Sequence, residues 1–117
     1  MSKQDFAEFS RTGRMRGTTE TFTSPTQAFS ESYQGILVRF QLEKGTIGRL
    51  REIGVRAHGG KSARLLPDLP VVRKRWGKRH ALFKPEGDQI NIGLGTGRAL
   101  DIFNNGTRGF GIMKVVR

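Results

Sequence analysis

Cysteine is absent from this chain. That removes a disulfide framework and a thiolate metal site, and it frees folding from any need for an oxidising compartment. Histidine is almost as scarce, with His58 and His80 the only two, so the ligands for a zinc site are too few and no metal is expected. No apolar run approaches the roughly 20 residues of a membrane span. The amino-terminal residues MSKQDFAEF lack the apolar stretch of a signal peptide. The chain therefore reads as soluble, with no membrane partner. Internal repeats and low-complexity tracts are missing too, and 117 residues suffice for a single domain, residues 1–117, with a modest core.

Acidic residues are also in short supply, 10 against 21 Lys and Arg, for a formal charge of +11. Most of that excess falls in the second half of the chain, which suits an anionic partner such as nucleic acid or an acidic protein. Its densest run is Arg73-Lys74-Arg75-Trp76-Gly77-Lys78-Arg79. Arg and Lys there can take phosphates while Trp76 stacks on a base.

The stretch HALFKPEGDQINIGLG, residues 80 to 95, is the centre of the reading. Residues 80–84 and 89–94 read as two strands joined by a tight turn at Pro85-Glu86-Gly87-Asp88. Ile90, Ile92 and Leu94 alternate with Asn91 and Gly93, so one face is apolar and the other small and polar, open to a ligand. Glu86, Asp88 and Gln89 stand at its lip and are the first candidates for chemistry.

In chain order, Ser2 caps a first helix that carries Phe6 and Phe9 on one face and ends at Gly13. Thr21–Thr23 form a short strand. Ser24-Pro25-Thr26-Gln27 matches a capping box with Pro at the first helical position, so a helix from Pro25 to near Gly35 places Phe29 and Tyr33 on one face. Ile36, Val38, Phe40 and Leu42 alternate in a strand whose other face carries Arg39. A short helix follows Gly45-Thr46, with Ile47, Leu50 and Ile53 inward and Gly54 as its stop. From Arg56 to Pro70 no periodicity is visible, and a long loop is expected. Gly93-Leu94-Gly95-Thr96-Gly97 has the spacing GxGxG rather than that of a dinucleotide fingerprint, and it reads as a turn into a helix over 98–103 ended by Asn104-Asn105-Gly106. A strand from Gly109 to Val116 closes the fold. Helices and strands do not alternate strictly, which predicts an α+β fold: a small curved or split, antiparallel-rich sheet with short helices packed on one side.

The succession Glu-Thr-Phe-Thr-Ser-Pro, an Ala-Phe-x-x-x-Tyr helix, Val-Arg-Phe and Phe-Lys-Pro-Glu-Gly-Asp-Gln-Ile-Asn resembles the C-terminal toxin domains of Rhs-type polymorphic toxins, and within those the ADP-ribosyltransferases. The resemblance implies an ADP-ribosyltransferase-like core that consumes NAD. Thr23 and Ser24 resemble the family's polar motif on its second strand, and Glu86 or Gln89 its late ribose-contacting residue. Breaking the nicotinamide–ribose bond develops oxocarbenium character, which a carboxylate stabilises. Glu86 takes that role with Gln89 beside it, Arg39 neutralises pyrophosphate, and Tyr33 or Phe29 stacks on nicotinamide. The family's phosphate-binding Arg or His on a first strand has no counterpart before Ser2. Either that strand lies ahead of residue 1, or Arg39 or the Arg14/Arg16 pair serves instead. The implied target is a translation component, structured RNA or an RNA-associated protein, held by the basic run 73–79. The resemblance further implies secretion within a larger effector, action in the cytoplasm of a target cell, and neutralisation by an acidic immunity protein.

The rival reaction class is a metal-independent ribonuclease toxin acting on tRNA or rRNA, with His80 or His58, Glu86, and Lys78 or Arg79 as acid, base and charge stabiliser. A non-catalytic RNA-binding module needs only the basic run.

Overall fold

A computed structural model describes residues 3–15, 22–23 and 35–116, with Thr23 and Arg39 described at the backbone. The expected helix carrying Ser24, Phe29 and Tyr33 lies outside the described residues, as does Arg16. Among the described residues the elements are α1 (Lys3–Thr12), β1 (Phe22–Thr23), β2 (Gly35–Leu42), α2 (Thr46–Glu52), β3 (Gly54–Arg56), α3 (Gly60–Leu65), a 3-10 turn (Trp76–Lys78), β4 (Ala81–Glu86), β5 (Gln89–Gly93), α4 (Arg98–Gly106) and β6 (Thr107–Val116). The fold is α+β, and its sheet is split. A four-stranded mixed sheet runs β1-β5-β4-β3, and β2 pairs with β6 in a separate antiparallel ribbon.

The β4–β5 hairpin is tighter than its sequence suggests. Pro85 and Glu86 belong to β4, opposite Ile90 and Gln89, and only Gly87 and Asp88 make the turn, with Gly87 at φ 61. Pro85 lacks an N–H to give a second neighbour, and none is needed, because β3 pairs with β4 only along Ala81–Phe83.

The expected loop from Arg56 to Pro70 is corrected. Gly54–Arg56 pairs in parallel with β4, and Gly60–Leu65 is helical. Three strand residues and six helical ones are too few to print a period on the sequence. The segment beyond α3 is tied back to β3: Arg56 N–H donates to the Pro70 carbonyl at 2.8 Å, Val72 N–H to the Arg56 carbonyl at 2.8 Å, and Arg56 Nε to the Leu69 carbonyl at 3.0 Å.

In α2 the inward set is Thr46, Leu50 and the partly buried Ile53, whereas Ile47 is 49 % exposed. Thr46 can be wholly buried because its hydroxyl donates to the Glu43 carbonyl at 2.7 Å. Its small side chain also lets α4 approach, since a Cβ on Gly106 would lie 2.3 Å from Thr46 Oγ1. A longer isoleucine at that contact would hold the two helices apart.

The main core collects Phe83 and Ile92 from the large sheet, Leu50 from α2, Leu66 and Leu69 beyond α3, and Leu94, Ala99 and Phe103 in and before α4. An aromatic chain links it to the ribbon. Phe103 meets Phe40 edge-on at 5.1 Å, Phe40 meets Phe9 at 5.4 Å, and Phe9 meets Phe110 at 4.6 Å. Phe9 is 2 % exposed and stands at the middle of this chain. Phe9→Ala is expected to destabilise the domain by about 3–5 kcal/mol, the range for truncating a buried Phe, and urea denaturation measures it. The exit of α1 is held by Asn104, whose Oδ1 accepts from Met15 N–H at 2.8 Å while its Nδ2 donates to the Met15 carbonyl at 3.1 Å.

Candidate active site

The glycines of the Gly93–Gly97 stretch are used for backbone contact. Thr96 N–H donates to the Gly77 carbonyl at 2.8 Å. A Cβ on Gly95 would fall 2.1 Å from that carbonyl oxygen, and one on Gly97 would fall 2.3 Å from the Lys78 carbonyl oxygen. The loop before α4 is thus pressed against the 3-10 turn, backbone on backbone. This contact fixes Lys78, Arg79 and His80 against the start of α4.

An open cleft of about 800 Å³ results, lined by Lys78, Arg79, His80 and Arg98 on one side and by residues 51–54 and 68–70 on the other. His80 is half-buried there, and its geometry settles its tautomer. Nδ1 lies 3.1 Å from the Ile53 carbonyl oxygen. A carbonyl only accepts, so Nδ1 carries the hydrogen and, in the neutral ring, Nε2 keeps its lone pair. The same carbonyl accepts Ala81 N–H at 3.1 Å, and His80 N–H donates to the Trp76 carbonyl at 2.9 Å. The ring and its backbone are therefore both anchored to rigid elements.

The charges around His80 are distributed unequally. Arg51 is bound to Asp68 through Nη2 at 2.8 and 3.0 Å, and it also lies over the Phe83 ring at 6.0 Å. Lys78, Arg79 and Arg98 are exposed and enter no ion pair among the described residues. Three unpaired cations against the single carboxylate unpaired among the described cleft residues, Glu52, leave the cleft net positive beside an imidazole with an available lone pair, a place where a phosphate can sit next to a base.

Glu86 is elsewhere. It stands at the far end of β4 from His80, half-buried, 3.6 Å from Lys84 Nζ. The pairing of His80 with Glu86 expected for a nuclease is corrected: the carboxylates on the cleft are Glu52 and Asp68. His58 is exposed and does not line the cleft. Glu86 and Gln89 do come together, as cross-strand partners, and Gln89 Nε2 donates to Asn91 Oδ1 at 2.9 Å. The polar face they border is not open as expected, for Asn91 is 2 % exposed and Gly93 is buried. The backbone of Thr23 pairs with Ile92. Arg39 lies in the separate ribbon, opposite Gly111, and Arg14 is engaged with Asn105 at 3.2 Å. Ser24, Phe29 and Tyr33 lie outside the described residues. Arg73, Lys74 and Arg75 are exposed and precede the cleft residues along the chain without lining the cleft, and Trp76 is half-buried.

Sequence reading missed Arg51, Glu52, Asp68 and Arg98. Arg98 had one available signal: it directly follows the second of the two glycines through which the loop contacts the 3-10 turn.

The fold and the cleft together define an α+β domain with a histidine set in a net-positive surface. A family model for the PT3 toxin domain matches residues 1–111. The chain belongs to that family and is a polymorphic toxin domain. In a comparison of sequences it matches no curated protein.

Proposed function

We propose that this toxin domain is a ribonuclease that cleaves RNA at the His80 cleft. The observation that carries this reading is the Nδ1 contact with the Ile53 carbonyl, which leaves Nε2 as a base beside Lys78, Arg79 and Arg98. Nε2 takes the proton of a ribose 2′-hydroxyl, and the 2′ oxygen attacks the adjacent phosphorus. The bond from phosphorus to the 5′ oxygen breaks, and that oxygen leaves with a proton from the Lys78 ammonium, giving a 2′,3′-cyclic phosphate and a 5′-hydroxyl. Arg79 and Arg98 stabilise the negative charge that grows on the phosphate oxygens. The substrate is an RNA of the translation machinery in a target cell's cytoplasm. The domain arrives there as part of a larger secreted effector, and an acidic immunity protein protects the cell that makes it.

A second reading rests on a different observation, the juxtaposition of Glu86 and Gln89 across the hairpin. In it the domain transfers ADP-ribose from NAD to a translation component. Glu86 stabilises the oxocarbenium ion with Gln89 orienting the ribose, Thr23 and Ser24 support them, Arg39 meets pyrophosphate, and Tyr33 or Phe29 stacks on nicotinamide.

One experiment separates the two. The purified domain is incubated with bulk RNA without NAD and, in parallel, with labelled NAD and a cell extract. The expected result is RNA cut without NAD, and cutting that persists in Glu86→Ala. Label transferred from NAD and lost in Glu86→Ala would instead establish ADP-ribosyl transfer.

A further inference from the structure

Arg75 is the one non-glycine residue with positive φ among the described residues, at φ 64 and ψ 24. Left-handed backbone is strained for a side chain with a Cβ and is relaxed for glycine. The conformation makes the bend between two fixed segments. On one side Val71 is bridged in parallel to Arg56, and on the other the turn Trp76–Lys78 leads into the cleft with its Gly77 carbonyl held by Thr96. A glycine here would make the same bend without strain. The arginine it carries instead is exposed and enters no ion pair among the described residues, as do its neighbours Arg73 and Lys74. Of the described arginines outside this region, Arg11 is engaged with Glu8, Arg51 with Asp68, Arg108 with Glu43 and Arg56 with a carbonyl, while Arg64 is exposed and enters no ion pair among the described residues.

We propose that Arg75 is an RNA-holding residue, kept at the cost of backbone strain, and that with Arg73 and Lys74 it extends the cleft into a track for a single-stranded RNA several nucleotides long. The substrate class named here rests on the ribonuclease reading. Arg75 acts on the strand's phosphates away from the reacting bond, so it governs binding and leaves the chemical step to His80. Because the strain is local, removing the side chain relaxes the fold while weakening its hold on RNA.

The test is Arg75→Gly in the full chain, with three readouts. The melting temperature is expected to rise by a few degrees. KM for a dozen-nucleotide unstructured RNA is expected to rise about three- to tenfold with kcat altered less than about twofold. Binding of a 2′-O-methyl RNA of the same sequence, followed by fluorescence anisotropy over a salt series, is expected to show a slope of log affinity against log salt that is shallower by about 0.7, the value for one phosphate contact on a single strand. A higher melting temperature with unchanged KM and salt slope would overturn the proposal, leaving Arg75 as strain without use. A kcat that falls with KM unchanged would also overturn it, by placing Arg75 in the chemical step. The 2′-O-methyl RNA cannot be cut, so its salt slope tests Arg75 even if the wild-type domain cleaves no RNA, the result that would refute the ribonuclease reading itself.

Discussion

Replacing His80 with glutamine is expected to lower kcat for RNA cleavage by about 10²–10⁴-fold, the range for losing one positioned general base. The melting temperature should move by no more than a few degrees. Glutamine keeps a polar side chain of similar reach without the basic nitrogen, and the Ile53 carbonyl that now accepts from Nδ1 at 3.1 Å keeps Ala81 N–H as a partner at 3.1 Å. His58→Gln is the matched control: His58 is exposed and away from the cleft, and its replacement should leave the rate where it was. A gel assay on bulk RNA with thermal denaturation of each variant gives both readouts. Full cleavage by a folded His80→Gln protein would remove the histidine from the mechanism and with it the ribonuclease assignment of this cleft.

Gly95→Ala is expected to be the most damaging single methyl in the region. Gly95 stands at φ 64, where an L side chain costs about 1–2 kcal/mol. The added Cβ would also lie 2.1 Å from the Gly77 carbonyl oxygen and 2.7 Å from the Gly77 Cα. Neither of those atoms can swing aside as the end of a side chain could, so the two backbones must separate, and overpacking of this kind costs typically about 1–3 kcal/mol more. Together these put the loss at about 2–5 kcal/mol, a fall in melting temperature on the order of 10 °C or more. Separation would also break the Thr96 to Gly77 hydrogen bond and shift Lys78, Arg79 and His80, so RNA cleavage should fall further than the loss of folded protein explains. Gly87→Ala supplies the comparison: its φ is 61, but nothing lies within 4 Å of the added carbon, so only the conformational part of the penalty applies.

Those two glycines show what the sequence made legible and what it did not. The run Gly93–Gly97 was readable as a turn into a helix, because glycine spacing bears on local backbone freedom. Its partner, the Gly77 backbone, was not, because close approach of two backbones leaves no periodic mark on either. The strands with clean alternation, β2 and β5, were legible for the same reason in reverse, since a two-residue period records which face is buried. Ile47 failed because the helical period of α2 fits both Ile47 and Thr46 as inward residues, and the choice depended on the space left by Gly106. The Arg73–Arg79 run declared its charge but not its target. Glu86 attracted attention as an isolated carboxylate in a basic chain, whereas Glu52 closes α2 on its exposed side, where the helical period marks only the inward residues, and Asp68 lies in the segment beyond α3, which carries no period to read.

The β2–β6 ribbon has a kinetic consequence. Its register joins Gly35 to Val116 and Leu42 to Thr107, so the ladder closes across most of the length of the chain. Loop closure over such separations is slow compared with forming helices or the local β4–β5 hairpin. The cleft residues lie between the two strands, within the loop that the ribbon closes. On a ribosome, β2 leaves the exit tunnel without its partner β6 until the elements from α2 through α4 have followed it. The domain therefore spends its synthesis without its finished frame, and the edge of β2 is open to any other strand that reaches it first.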